Sequence, residues 1–259
     1  MAKLNKERVG ERFKTNEGYE VVIVEYNNAN DLLVEFQNER KTIVPTFYKC
    51  CKKGTIKNPY HPSIFGIGYI GEGEYNVSIN GKQTKEYSEW RSMLTRCYDK
   101  KYKVKRPTYE DCIVDEYFHN FQNYCKWRED GYYEIEGERM HLDKDILYKG
   151  NKIYTPDKCI FVPERINTLF VRSNAIRGDC PIGVCYHKDR NKYIAYCNTI
   201  INNKKERVFL GYYNTSEEAF KVYKEFKEAY IKQVADEYKG RIPDRLYEAM
   251  YRWEVEITD

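Results

Sequence analysis

Three acidic or basic-capable side chains alternate in one short stretch of this chain: His141, Asp143 and Asp145, in Met140-His-Leu-Asp-Lys-Asp-Ile146. Side chains two apart on a strand share a face. An imidazole and two carboxylates on one face have the ligand chemistry to hold a divalent cation such as Mg or Mn. Such a cation, with a base, hydrolyses a phosphodiester. The same alternation also describes a polar edge strand whose acids pair with the neighbouring Lys144, Lys149 and Lys152. Gly150-Asn151 then signals a turn, and Thr155-Pro156-Asp157 a turn or helix start.

Around this stretch lie further motifs in a fixed order. They are Y-S-E-W-R-S-M-L-T-R-C-Y (Tyr87 to Tyr98), P-T-Y (Pro107 to Tyr109) and F-x-N-Y-x-x-W (Phe121 to Trp127). L-D-K-D (Leu142 to Asp145) and G-N-K-I-Y-T-P-D-K-C-I-F-V (Gly150 to Val162) complete the series. Over about residues 85–175 this order resembles the HNH-type, homing-endonuclease-like proteins of bacteriophages and mobile elements. Those carry W-x-x-M-x-x-R-C-Y, then L-D-R-I-D, then G-N-Y-S-P-E-N-C-R-W. The resemblance implies a ββα unit gripping one divalent metal. The pair that ends its first strand aligns with Asp143 and Lys144, the first as metal ligand and the second in the general-base position. Asn151 matches the asparagine of the turn, Asp157 falls near the metal-ligand position of the helix, and Asp145 joins the ligand set. A lysine is protonated at neutral pH, so His141, on the face of Asp143, is the substitute base. The implied activity is metal-dependent DNA endonuclease. The alternative is a nuclease scaffold that has lost catalysis and serves as a DNA-binding regulator, or as an inhibitor aimed at a host protein.

The elements that would position these residues are legible as periodicities. Val21 to Tyr26, Leu32 to Phe36 and Lys41 to Phe47 are short strands with tight turns, predicting a β-rich, SH3-like or barrel-like module over residues 1–75. A Pro/Gly-rich connector follows. Its G-I-G-Y-I-G string (Gly66 to Gly71) lacks the strand-then-helix setting of a dinucleotide site. Residues 76–178 form the HNH-like region, with helices predicted over 84–98 and 115–129 and another starting near Pro163. On the last of these Arg165 and Arg172 are candidates for backbone phosphates.

Residues 179–240 read as three strands and one long helix. Strands open at Pro181, run from Lys192 to about Ile201, and from Arg207 to Tyr213; Thr215 and Glu218 form a capping box ahead of a helix to about Tyr238. One sheet face is covered by the helix and the other is free. Between Gly183 and Asn214 six cations face two acids, a net +4 equal to that of the whole chain. A basic, exposed sheet suits duplex DNA, with lysines on phosphates and other side chains at base edges. The solvated hairpin tip is the other reading of Lys204 and Lys205. The order I-G-V, K-Y-I-A-Y-C, F-L-G-Y-Y-N-T-S-E-E-A and Y-K-E-F-K-E-A (from Ile182 to Ala229) resembles the ethylene-response-factor type of DNA-binding domain. By position, that resemblance implies DNA-facing roles for Cys185, His187, Tyr196, Asn198, Arg207 and Phe209, with Lys192, Lys204 and Lys205 on phosphates. Residues 241–259 read as a tail with a short helix from Asp244 to Trp253.

Bulk properties narrow the classes. The chain has 259 residues, 32% of them charged, and a mean hydropathy of −0.82. No apolar run approaches a membrane span and no secretory leader is visible, so a host bacterial cytoplasm is expected. Nine cysteines without a C-x-x-C pair argue against a zinc ribbon and for reduced, small core residues. The 26 tyrosines suit half-buried packing and wet interfaces alike.

Overall fold

The computed structural model describes residues 8–170, 180–201 and 204–259. Helix makes up 35% and strand 27%, the strands spread over several small sheets, which is an α+β chain. Two units emerge: Met1–Pro107 with Glu116–Lys126, and Thr108–Asp115 with Trp127–Asp259.

The first unit begins with an antiparallel sheet of β1 (Arg12–Lys14), β2 (Glu20–Asn28), β3 (Asp31–Phe36) and β4 (Ile43–Thr46), in that spatial order. Strict alternation in β3 sends Leu32, Val34 and Phe36 inward. In β2 the inward set is Val21, Ile23 and Tyr26, because irregular pairing around Val24 shifts the period by one. The predicted barrel does not close among the described residues: β1 and β4 remain edges. The helix α1 (Tyr48–Lys53) follows β4 and packs Tyr48 and Cys51 on the sheet's core, leaving no further strand to bridge the edges.

After the two-residue strands β5 (Ser78–Ile79) and β6 (Lys82–Gln83) comes α2 (Lys85–Tyr98), capped by the Thr84 side chain, which accepts from Tyr87 N. Trp90, Met93, Leu94 and Cys97 are buried, and the Trp90 indole donates to Phe118 O at 2.7 Å. The G-x-G-x-x-G string finds its use here. A Cβ on Gly68 would lie 2.5 Å from Leu94 Cδ1, so the absent side chain lets the connector lie on α2. The short α3 (Lys100–Lys105) follows.

In the second unit β7 (Ile113–Val114) precedes α4 (Phe121–Gly131), whose first residues belong to the first unit and whose Trp127 and following residues belong to the second. The predicted single helix over 115–129 is instead a 3-10 turn at Glu116–His119 followed by α4. Then come β8 (Met140–Asp143), β9 (Ile153–Tyr154), β10 (Ile160–Pro163) and α5 (Glu164–Leu169). β8 and β10 pair antiparallel, His141 opposite Val162 and Asp143 opposite Ile160, while β9 pairs parallel with β7. Every residue of β10 is buried.

The C-terminal sheet is β11 (Val184–His187), β12 (Lys192–Ile201) and β13 (Lys204–Tyr213), covered by α6 (Ser216–Glu237). The Thr215–Glu218 capping box is present with both hydrogen bonds. α6 serves two cores. Its first turns bury Ala219, Phe220 and Tyr223 against the sheet, and its later turns place Tyr230, Ile231 and Val234 against Ile146, Ile160, Val162 and Ile166. α7 (Asp244–Tyr251) adds Leu246 and Met250, both fully buried, to the second core, so this segment is an integral part of the unit.

Candidate functional site

Two places hold the residues singled out by sequence: the turn that follows β8, and the face of β11–β13 turned away from α6.

The turn is built by hydrogen bonds that consume its own polar groups. Asp143 Oδ1 accepts from the amides of Asp145 at 2.8 Å and Ile146 at 2.7 Å, which bends the chain out of β8. The strand therefore ends at Asp143, and Asp145 does not continue the alternation with His141 and Asp143. That corrects the single-face expectation. Burial, with the nearby Asp145 charge adding to it, pushes the Asp143 carboxyl up to about 6, against the favourable pull of the two amides and Lys144. Asn151 reaches back across the turn. Its Nδ2 donates to Lys144 O and to Ile153 O, both at 2.7 Å, and its Oδ1 accepts from Ile153 N at 3.3 Å.

Lys144, in the expected general-base position, is 7% exposed. Its ammonium donates to Asn151 O at 3.1 Å and pairs with Asp145 Oδ2 at 3.2 Å. Burial works against the charge, but the Asp145 carboxylate, with smaller help from Cys112 and Asp143, outweighs it, and the group is held above the usual lysine range. A group so held is a poor proton acceptor near neutrality.

Asp157, the third expected ligand, is exposed and accepts from Thr155 Oγ1 at 2.5 Å; that bond, before any other influence, holds its carboxyl below the usual carboxylate range. The three carboxylates are thus engaged separately, by amides, by an ammonium and by a hydroxyl. Among the described residues no group of three or more His, Cys, Asp and Glu side chains is gathered as for a metal ion. His141 sits half-buried in β8, two residues from Asp143.

Of the two arginines expected near Pro163, Arg165 is committed elsewhere in its own unit. Its Nη1 pairs with Glu237 Oε2 at 2.6 Å and its guanidinium lies 5.8 Å from the Tyr238 ring. Arg172 lies outside the described residues.

The sheet face is assembled by register. Cys185 is opposite Ile194, Tyr196 opposite Phe209 and Asn198 opposite Arg207. Val184, Ala195 and Cys197 point the other way, into the core shared with α6. The Arg207 guanidinium lies 3.6 Å from the Tyr196 ring centroid, and the Tyr196 hydroxyl is 3.0 Å from Cys185 Sγ. This stacking fixes the fork of an otherwise exposed arginine. Phe209 is 55% exposed. Lys204 and Lys205 are exposed at the β12–β13 end of the hairpin. The Lys192 ammonium donates to the Asn214 carboxamide oxygen.

One member of this face, Tyr212, escaped the sequence reading. The pairing between β12 and β13 shifts between Ala195 and Tyr196, leaving Leu210 as an extra residue on β13. Simple alternation from Arg207 and Phe209 leads to Gly211, but the bulge brings Tyr212 to their side. The Tyr212 ring stands 5.2 Å from Phe209 and 5.9 Å from His187, and the Arg190 guanidinium lies 4.6 Å from it. Only an aromatic every second or third position hinted at this.

Comparison of the chain with protein-family models, with curated proteins and with solved structures finds no match. Among the described residues no helix is long and apolar enough to cross a membrane.

Proposed function

We propose that this chain binds double-stranded DNA through the free face of β11–β13, and that the β8–β10–α5 unit acts as a scaffold without hydrolysing DNA. One observation carries the reading: Arg207, ordered on Tyr196, stands beside exposed Phe209 and Tyr212 on an uncovered sheet. Cations there meet phosphates or the acceptors of guanine, and the aromatic and Asn198 side chains meet base edges and thymine methyls. The resemblance to the ethylene-response-factor type of domain supports the same face. The resemblance to HNH-type proteins supports a scaffold from that fold, while the buried Lys144–Asp145 pair supports the reading that it has lost its catalytic base. The separate engagement of Asp143, Asp145 and Asp157 supports the same non-hydrolytic reading.

The test has two arms. Fluorescence anisotropy on a random duplex over a salt series should show binding that weakens steeply with salt. A supercoiled plasmid incubated with the protein and Mg or Mn should stay intact. Absence of duplex binding overturns the proposal. Nicking that disappears in Asp143→Ala overturns its second half and returns the site to metal-dependent endonuclease chemistry.

A further inference from the structure

The least explained element of the first unit is α3. Its Asp99 cap is sound: one carboxylate oxygen accepts from Lys101 N at 2.7 Å and Tyr102 N at 3.1 Å. Yet none of its residues is buried. A six-residue helix is marginal by itself, and helices in folded proteins owe their stability mainly to a packed apolar face. Here only Tyr102 and Lys103 are partly covered, and Val104 stands 82% exposed.

What the helix does present is charge. Lys100, Lys101, Lys103, Lys105 and Arg106 follow within seven residues that contain no acid. The one adjacent acid, Asp99, has the oxygen just described engaged by amides. Lys100, Lys101, Lys105 and Arg106 are all exposed, and so is Arg91 on the preceding α2. Such a density of like charge on one short, largely exposed helix repels itself and favours a polyanion as neighbour.

We propose that α3 is a second phosphate-binding element, docking on the sugar-phosphate backbone of duplex DNA; this rests on the DNA-binding reading above. Lysine ammonium groups act there as point charges without demand for a base sequence. Each phosphate neutralised releases condensed counterions, so this element should add affinity and salt dependence together.

The experiment compares the full-length protein with a variant carrying Lys100→Gln, Lys101→Gln, Lys105→Gln and Arg106→Gln. All four positions are exposed, so circular dichroism and the thermal midpoint should be unchanged. Anisotropy on a random duplex should show roughly tenfold or greater loss of affinity and a salt slope flatter by about 0.9 for each phosphate no longer neutralised. A second variant with arginine at the three lysine positions should bind as the parent does. Unchanged affinity and slope in the glutamine variant overturn the inference while leaving the sheet as the DNA contact. A parent protein that fails to bind the duplex removes both readings. A glutamine variant that keeps duplex binding but loses binding to polyglutamate assigns α3 to an acidic protein partner and likewise overturns it.

Discussion

Lys144 and Asn151 hold each other twice: the Lys144 ammonium donates to the Asn151 carbonyl oxygen at 3.1 Å, and the Asn151 carboxamide donates to the Lys144 carbonyl oxygen at 2.7 Å. The two bonds clamp the loop between β8 and β9 at its ends. A side chain in the place of a catalytic base thereby serves as a strut, and its charge is balanced by Asp145. Buried polar groups persist where every donor has an acceptor, and here the acceptors are a backbone carbonyl and a half-exposed carboxylate.

Replacing this strut should cost stability. Lys144→Met keeps the volume but leaves Asn151 O without its ammonium donor, and should lower the free energy of unfolding by about 1–3 kcal/mol. Asn151→Ala should cost a similar amount by removing the carboxamide. Since the pair shares one clamp, the double variant should lose less than the sum of the singles. Urea denaturation of the three variants measures this. Strict additivity would show that the two bonds act independently.

Asp143 should make stability fall as pH rises through a defined window. Its carboxyl titrates near 6 in the folded chain and near 3.8 ordinarily. Between these values the folded state holds the proton more tightly than the unfolded state, so stability decreases from about pH 4 to about pH 6 and is level above. The full effect is on the order of 2–3 kcal/mol. Asp143→Asn retains an oxygen for the Asp145 and Ile146 amides but cannot titrate. The stability of the parent minus that of Asp143→Asn should therefore fall across this window. A flat difference would mean that the carboxyl is not perturbed.

Gly183 sits where no side chain fits. Its φ is +76°, and a Cβ there would stand 2.1 Å from Tyr223 Cδ2 on α6. The ring of Tyr223 is buried in the core between sheet and helix. Gly183→Ala should destabilise the protein by about 2–4 kcal/mol, from backbone strain and overpacking together. A urea midpoint equal to the parent's would contradict this.

The sheet face predicts two distinguishable losses. Lys204→Ala, Lys205→Ala and Arg207→Ala combined should weaken binding to every duplex and flatten the salt slope by about 0.9 per phosphate left without its cation. Phe209→Ala should weaken binding by about 1–2 kcal/mol with the slope unchanged, because it removes an apolar group rather than a charge. Changes at Tyr196 and Asn198 should relax sequence preference. Anisotropy across a salt series on several duplexes separates these outcomes. A Phe209→Ala protein that binds as the parent does would show that this face does not meet bases.

Local pattern was enough to read much of this chain. Alternation in Leu32 to Phe36, the helical stripe through Trp90, Leu94 and Cys97, and the Thr215–Glu218 box each depend on residues a few positions apart. Propensity and capping act over that range, so the elements were legible in sequence. The uncovered sheet face was anticipated from three strands and one helix, while Tyr196, Asn198 and Arg207 were placed on it by the resemblance to the ethylene-response-factor type of domain.

Tertiary structure decided the rest. Whether Asp143, Asp145 and Asp157 converge depends on which partners each finds, and amides, an ammonium and a hydroxyl claimed them one by one. Arg165 was taken by Glu237, more than seventy residues later in the chain. The bulge at Leu210 redirected Tyr212, and the lack of any fully buried residue on α3 became visible only against the finished cores. Sequence spacing fixes which side chains can share a face; only the folded chain fixes which polar groups are already satisfied when they get there.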